Sequence, residues 1–538
     1  MYSPKEPLAM KSFFFATGRA AIQAGSPRWL LIACAVWLLA SAGWRPLMLP
    51  DEGRYVGIAW EMLNSGNWLV PTLDGMPFFH KPPLFYWITT AALQLFGAHA
   101  WVGRLASVLP AIAAIIAVHI VIRHHRDVGT ANLTAVILAT QPFFFGATQF
   151  ANLDMLVASM ITLTILCVAE AAIRIDKQLS GKHWLAAGYV FAALGMLAKG
   201  LIGLLLPAAV IFVWLALRGK LRVFFRLLSL PLTGLLLLIA APWFVVMSMK
   251  FPEFLDYFFI EQHFKRFASA GFNNEQGFWF YVPVLLSLTF PWSLWSIRLF
   301  RHRTGGKAND TDGLRMLMLV WTVIIIAVFS IPQSKLIGYI LPVLPPFAFL
   351  LADSAKRWRD SAATGTAEAW MGASIIASSA LCASLIAYMY WHDPSQLSHL
   401  AVRDERSFRR TDQVVMLDHY PYDLPFYLRS TTPAWVVGNW EDPSITKTDN
   451  WRKELADAGR FDPQARQDYL ITSHELIARL CARRDRTYWI WGKRDAPGDK
   501  HWLSAAEQVF SNKKFALWRF RSDASKLSGV CDEKPSND

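Results

Sequence analysis

Long apolar runs recur along this chain as far as Trp391 and then stop. Runs such as Trp29 to Leu49, Gly200 to Leu217, Leu227 to Met247 and Leu314 to Phe329 reach or approach the roughly 20 residues that a helix needs to cross a bilayer. A segment in hydrocarbon must satisfy its own backbone N–H and C=O groups, so these runs are read as helices. Composition agrees, since 54% of the residues are hydrophobic and 17% charged, against about a quarter charged in soluble domains. Residues 29–391 therefore read as a polytopic transmembrane helical domain. Residues 392–538 have ordinary polarity and sufficient length for one soluble domain. Residues 1–28 read as an uncleaved cytoplasmic start, because no small-residue cleavage site follows Trp29 to Leu39.

The net charge of +13 raises the question of nucleic acid, and its location answers it. From His392 onward there are 23 Lys and Arg against 22 Asp and Glu, so the basic excess lies in the membrane half. There it marks topology, because cytoplasmic loops retain Lys and Arg. No nucleic-acid partner is expected. Arg123 to Arg126, Arg174 to Lys182, Arg218 to Arg226, Arg298 to Lys307 and Lys356 to Arg359 are the cytoplasmic loops on this reading. Parity then requires Pro82 to Phe96 to be re-entrant or interfacial, a reading that suits its short length and its Pro82-Pro83 start. About 11 spans follow, or 13 with further division around Lys199, and the tail is periplasmic.

In that tail, Gln413 to Leu417, Ala434 to Val437, Tyr469 to Thr472, Tyr488 to Trp491 and Phe515 to Phe520 are rich in β-formers, and Asp468 to Arg483 has helical spacing. The expected fold class is thus mainly α, a membrane helical domain followed by a soluble α/β domain. Cys34, Cys167 and Cys382 fall in apolar runs and read as small hydrophobes. Cys481 and Cys531 lie in the tail, where an oxidising compartment permits either a disulfide or two thiols.

The functional candidates fall in loops assigned to the outer side. Asp51 and Glu52 open the first loop directly after a span, and Asp154 stands at the outer end of another. Carboxylates at a membrane edge either face solvent or face a cavity, and in the second case two Asp from different spans converge on one site. Lys81 precedes Pro82-Pro83, where a helix N-terminus attracts anions; by itself it also reads as a snorkelling lysine. Arg266, in Glu261-Gln262-His263-Phe264-Lys265-Arg266-Phe267, can hold phosphate bidentately or belong to an amphipathic surface helix. Lys335 and Tyr339 are four apart and are expected to share a helix face, with Tyr339 read as a ligand or as an aromatic-belt residue. Lys199 adds a cation at another apolar boundary.

As an ordered set, Asp51-Glu52-Gly53-Arg54-Tyr55, Lys81-Pro82-Pro83, Asp154, Leu197-Ala198-Lys199-Gly200, His263-Phe264-Lys265-Arg266-Phe267 and Ser334-Lys335 through Tyr339-Ile340-Leu341-Pro342 resembles bacterial aminoarabinose lipid A transferases of the ArnT type. These stand in the protein O-mannosyltransferase-like group of the GT-C glycosyltransferase fold. The likeness runs from about Trp29 to Trp391 and continues faintly at Leu424-Pro425-Phe426-Tyr427-Leu428. The resemblance implies an undecaprenyl-phosphate sugar donor, a lipid A or related envelope acceptor, and a site at the periplasmic edge of the inner membrane, roofed by the soluble domain. It implies Asp51 as catalytic carboxylate supported by Asp154, and Lys81, Arg266 and Tyr339 as holders of the donor phosphate, helped by Arg54. Lys335 and Lys199 complete the expected substrate-binding set.

One departure concerns metal. Family members usually carry Glu before Lys-Pro-Pro, where this chain has His80. His80 and His263 offer imidazoles to Zn²⁺, although no third ligand is evident. Three other readings are compatible with the loops: the same fold acting on a protein hydroxyl or a glycan, a lipid-linked sugar transporter, and a membrane scaffold. Transport favours polar groups and broken helices at mid-membrane depth, whereas the candidates here cluster at outer boundaries.

Overall fold

The computed structural model describes residues 16–21, 27–265, 275–301, 312–361, 365–392, 396–403, 407–446, 450–482, 486–522 and 531. Among them five helical segments are long and apolar enough to cross a membrane: Leu105–His125, Leu153–Asp176, Leu230–Lys250, Ile337–Asp360 and Thr366–Trp391. Two bent pairs, Val128–Thr140 with Pro142–Thr148 and Tyr281–Leu288 with Trp292–Leu299, raise the number to seven if each is one span. Four shorter apolar helices join them, Pro27–Ser41, Leu84–Phe96, Ile202–Leu217 and Leu314–Ser330. We label the helices used below α1 (Pro27–Ser41), α2 (Asp51–Ser65), α3 (Leu84–Phe96), α4 (Leu105–His125), α5 (Val128–Thr140), α6 (Pro142–Thr148), α7 (Leu153–Asp176), α8 (Lys182–Lys199), α9 (Ile202–Leu217), α10 (Leu230–Lys250), α11 (Tyr281–Leu288), α12 (Leu314–Ser330), α13 (Leu344–Ser361) and α14 (Thr366–His392).

The breaks have local causes. Pro142 lacks the N–H that would continue α5, and the chain turns by 61° into α6. α3, the segment read as re-entrant or interfacial, has 13 residues and at 1.5 Å per residue is about 20 Å long, short of a 30 Å core. α7 is buried along nearly its whole length, and its packing against α4, α8 and α9 makes it the axis of the bundle. Gly195 of α8 and Gly203 of α9 meet so closely that a Cβ built on Gly203 falls 2.3 Å from the Gly195 carbonyl carbon, the small-residue contact that lets membrane helices touch.

The tail is a six-stranded mixed sheet with helices. Its strands are β3 (Gln413–Leu417), β4 (Trp435–Val437), β5 (Leu470–Ile471), β6 (Thr487–Lys493), β7 (Glu507–Ser511) and β8 (Phe515–Arg521), in the order β5-β4-β3-β6-β8-β7; β1 (Thr72–Leu73) and β2 (Met76–Pro77) form a separate hairpin in the first loop. Strands β5, β4, β3 and β6 run parallel, and β8 and β7 close one edge antiparallel. Parallel strands covered on both faces read as unbroken apolar runs, as in Val414 to Leu417, all buried. Strand β7 was not expected, since Glu507-Gln508-Val509-Phe510-Ser511 is half-exposed with little apolar alternation. Between the strands lie α15 (Leu424–Leu428), α16 (Trp451–Gly459), α17 (Pro463–Tyr469) and α18 (Ser473–Ala482). Cys481 and Cys531 form a disulfide, and Cys34, Cys167 and Cys382 are free and buried.

The tail sits directly on α2. Tyr427 Oη accepts from Leu47 N at 2.7 Å, just before this helix, and Trp60 Nε1 donates to Ser430 O at 2.8 Å. A Cβ on Gly53 would come 3.0 Å from Asp423 N, and one on Gly57 would come 3.0 Å from Tyr422 O. Gly53 and Gly57, four apart on one face of α2, thus let the tail backbone lie against the helix.

Candidate active site

The first loop is held by a carboxylate that sequence reasoning noticed only as the neighbour of Asp51. Glu52 is fully buried. It accepts from Arg104 Nε at 2.8 Å, from Met48 N at 2.8 Å, from Ala151 N at 2.7 Å, and from Arg45 Nη1. Arg45 in turn donates to Gln149 O at 2.7 Å, and Ser107 Oγ to Phe150 O at 2.8 Å. Burial alone would raise the Glu52 pKa, but Arg104 and Arg45 hold it at about 2. This cluster welds the start of α2 to the segment 149–151, and so fixes Asp51 relative to Asp154.

Asp51 is the first residue of α2 and Asp154 the second of α7, whose N-cap Asn152 accepts from Asp154 N at 2.7 Å. Both carboxylates line one cavity of about 1160 Å³. Its lining is largely apolar, with Phe143, Leu288, Phe290, Leu381 and Leu385 among the residues that form it. Burial raises the Asp51 pKa; Arg54 opposes the rise, and Asp154, Glu454 and Glu52 add to it. Asp154 pairs with Lys199, whose ammonium stands 4.6 Å from the centre of the Tyr339 ring, a cation–π contact. Gly338 makes room for this arrangement, since a Cβ there would lie 2.5 Å from Asp154 Oδ2.

The remaining candidates divide. Arg54 joins Asp51 to Glu454 of the tail. Lys335 also lines the cavity, but it is 3% exposed and its ammonium donates to Gln276 O at 2.7 Å and to Pro332 O. The expected shared helix face of Lys335 and Tyr339 is corrected here. The helix there is a 3₁₀ segment, Ile337–Val343, that starts after Lys335, and the buried ammonium is drawn to the backbone carbonyls of Pro332 and of the distant Gln276. Lys81 lies half-buried between His80 and Pro82-Pro83, three residues ahead of α3, and among the described residues the cavity wall does not include it. Arg266 and the His263 side chain lie outside the described residues.

The described residues around His80 do not make a metal site. Among the described residues no group of three or more His, Cys, Asp or Glu is placed to hold an ion. His80 stacks on Phe78 at 4.2 Å, and its Nε2 lies 3.7 Å from Asp457 Oδ2, beyond hydrogen-bond reach and without another partner. Burial lowers its pKa, against the pull of Asp457 and Glu454, and keeps the ring neutral. Sequence reasoning missed three elements of this site: Glu454 and Asp457 on α16, more than 370 residues from their partners in the first loop, and Gly338. The first two carry no local motif. Gly53 and Gly57 at i, i+4 were a signal that a backbone approaches α2 at that point.

Comparison with known proteins places this architecture. Residues 80–246 match the family described as dolichyl-phosphate-mannose-protein mannosyltransferase. Curated relatives include an undecaprenyl phosphate-alpha-4-amino-4-deoxy-L-arabinose arabinosyl transferase of Erwinia tasmaniensis, 32% identical over 59% of this chain and 57% of that protein. The corresponding transferase 1 of Sodalis glossinidius is 31% identical over 63% and 60%. The chain thus matches under two thirds of the length of these relatives. Among solved structures, ArnT from Cupriavidus metallidurans bound to undecaprenyl phosphate has a TM-score of 0.77 at 20% identity, covering 96% of this chain and 100% of that one. The oligosaccharyltransferase AglB of Archaeoglobus fulgidus reaches 0.50 at 12% identity, over 89% and 71%. The chain shares the fold of the ArnT structures, and the resemblance carried by its motifs to transferases of the protein O-mannosyltransferase-like GT-C group is borne out by family match, relatives and fold together.

Proposed function

We propose that this protein is an integral membrane glycosyltransferase that moves a sugar, 4-amino-4-deoxy-L-arabinose or a close analogue, from undecaprenyl phosphate to lipid A or a related envelope acceptor. The observation that carries the reading is the meeting of Asp51 and Asp154 from separate helices in one cavity whose lining is largely apolar. Such a cavity suits an amphiphile with a polar head at the carboxylates and a prenyl chain along the apolar side. Residues 29–391 hold the reaction on this reading. The tail, 392–538, roofs it on the periplasmic side of the inner membrane, and a tail disulfide suits that compartment.

In the reaction, an acceptor oxygen attacks the anomeric carbon as the bond to the undecaprenyl phosphate oxygen breaks, inverting the centre. Undecaprenyl phosphate leaves with the bonding pair. That developing charge calls for cations, usually the largest contribution in such transfers; the family resemblance offers Lys81 and Arg266 for it, of which Lys81 stands outside the described cavity wall. Asp51 orients the acceptor, or takes its proton where the acceptor is a hydroxyl; a lipid A phosphate is already anionic and needs little base. The test is incubation of purified protein with a set of undecaprenyl-phosphate sugars and lipid A, with products read by mass. Transfer that Asp51→Asn abolishes in a folded protein supports the assignment, and full activity in that variant refutes it. Passage of lipid-linked sugar across liposomes without covalent transfer would favour a transporter instead.

A further inference from the structure

The tail contributes a carboxylate to the site that the reaction above leaves unused. Glu454 lies in the first turn of α16. Its Oε1 pairs with Arg54 Nη1, and its Oε2 accepts from Tyr422 Oη at 2.6 Å. The other terminal nitrogen of Arg54, Nη2, pairs with Asp51 Oδ1. The guanidinium is therefore clamped between a carboxylate from each half of the molecule. The rings of Tyr55 and Tyr422 stand 5.4 and 5.8 Å from it. Arg54 and Glu454 side chains are each 16% exposed, so water screens this pairing far less than a surface ion pair.

We propose that Glu454 is a positioning residue for the transfer reaction: by holding one arm of Arg54 it fixes the other on Asp51 and divides the guanidinium charge between two carboxylates. The proposal rests on the reading of Asp51 as the reactive carboxylate. A guanidinium committed wholly to Asp51 would make that group a weaker base and a poorer acceptor of further hydrogen bonds. Shared with Glu454, it leaves Asp51 steered but still basic. The charged groups that act on Asp51 are Arg54 and, turned inward, Glu52 on α2, Asp154 on α7 and Glu454 on α16. Removal of Glu454 acts on Asp51 in one direction by two routes, since Arg54 is released to it and a repelling carboxylate is lost.

The experiment is the pH dependence of kcat for the full-length protein in detergent, with undecaprenyl-phosphate aminoarabinose as donor and lipid A as acceptor; because a lipid A phosphate needs little base, the acid limb reports the ionised Asp51 that orients the acceptor rather than proton removal. Glu454→Gln keeps the size of the side chain and a carbonyl for Tyr422. Its acid limb moves to lower pH by roughly half to one unit, and kcat at neutral pH falls several-fold. Tyr422→Phe, which leaves every charge in place, frees Glu454 to hold Arg54 more tightly and moves the limb slightly the other way. A merely structural contact would change yield or melting temperature and leave both limbs alone. An unmoved limb in Glu454→Gln overturns the proposal, as does a shift of Tyr422→Phe in the same direction should the Gln variant fail to fold. Wild-type protein that transfers no sugar would overturn the enzymatic reading and this proposal with it, whereas transfer with unmoved limbs removes the proposal alone.

Discussion

Asp51 and Glu52 are adjacent in sequence and opposite in role. Glu52 points inward to two guanidiniums, so Glu52→Ala leaves Arg45 and Arg104 facing each other in the interior. Breaking a buried pair of this kind costs about 3–5 kcal/mol. We expect a large drop in melting temperature for that variant and little change for Asp51→Asn, both measured in detergent. The same ion pairs set the acid limit of Glu52. Its pKa is held down at about 2 in the fold, so its contribution is whole above the unfolded value near 4.5 and is lost as pH falls through about 2. Gly338→Ala makes the complementary case: the added methyl displaces Asp154 and Lys199 rather than the core, and activity should fall at least tenfold with melting nearly unchanged. The sequence singled out the acidic pair because it stands at the end of an apolar run. It could not assign the roles, because the partners of Glu52 come from Arg104 and Ala151, 52 and 99 residues away.

At the scale of elements, what is periodic or uniformly apolar was legible and what depends on a distant partner was not. The membrane helices and five of six tail strands follow from apolar runs, while the turn around Lys335 follows from a buried ammonium seeking carbonyls. The first-loop hairpin β1–β2 is of the second kind. Glu61 of α2 accepts from Thr72 Oγ1 at 2.8 Å, Asp74 N at 2.7 Å and Gly75 N at 2.9 Å. Asp74 Oδ1 accepts from Ala434 N of the tail at 2.8 Å. Burial nevertheless dominates: it raises Glu61 to about 7 despite those donors, and it raises Asp74 well above the carboxylate range, with Glu61 adding to the rise. The folded state therefore binds protons that the unfolded chain releases. The Glu61 contribution is whole below about pH 4.5 and is lost as pH rises through about 7. Amides of Asp74, Gly75 and Ala434 should exchange with solvent more slowly at pH 6 than at pH 8 after correction for intrinsic rates. Gly57→Leu, which drives a side chain into the Tyr422 carbonyl, should loosen the same seam at every pH and expose the tail to limited proteolysis.

The two halves share a buried cluster at their junction, where Tyr422, Leu424, Phe426 and Leu428 of the tail pack with Val56, Ile58 and Trp60 of α2, while other residues of the tail sheet form a second cluster of their own. A ligand bound near Asp51 thus bears on the stability of both halves. The cavity is apolar along Leu288, Phe290, Leu381 and Leu385 and carries Lys335 as well as Asp51, Asn152 and Asp154, so on the proposed reading the prenyl chain gains from the apolar lining and the phosphate from the cations of the site, while free phosphate or a bare polyprenol gains from one of these. Ligand that binds only the folded state stabilises by about 2.7 kcal/mol at a hundredfold excess over Kd. Undecaprenyl phosphate should therefore raise the melting temperature of the detergent-solubilised protein by several degrees, and inorganic phosphate or undecaprenol at equal concentration by clearly less. Equal shifts for undecaprenol and its phosphate would mean that the polar end contributes nothing, and the placement of the donor head beside the two aspartates would then be wrong.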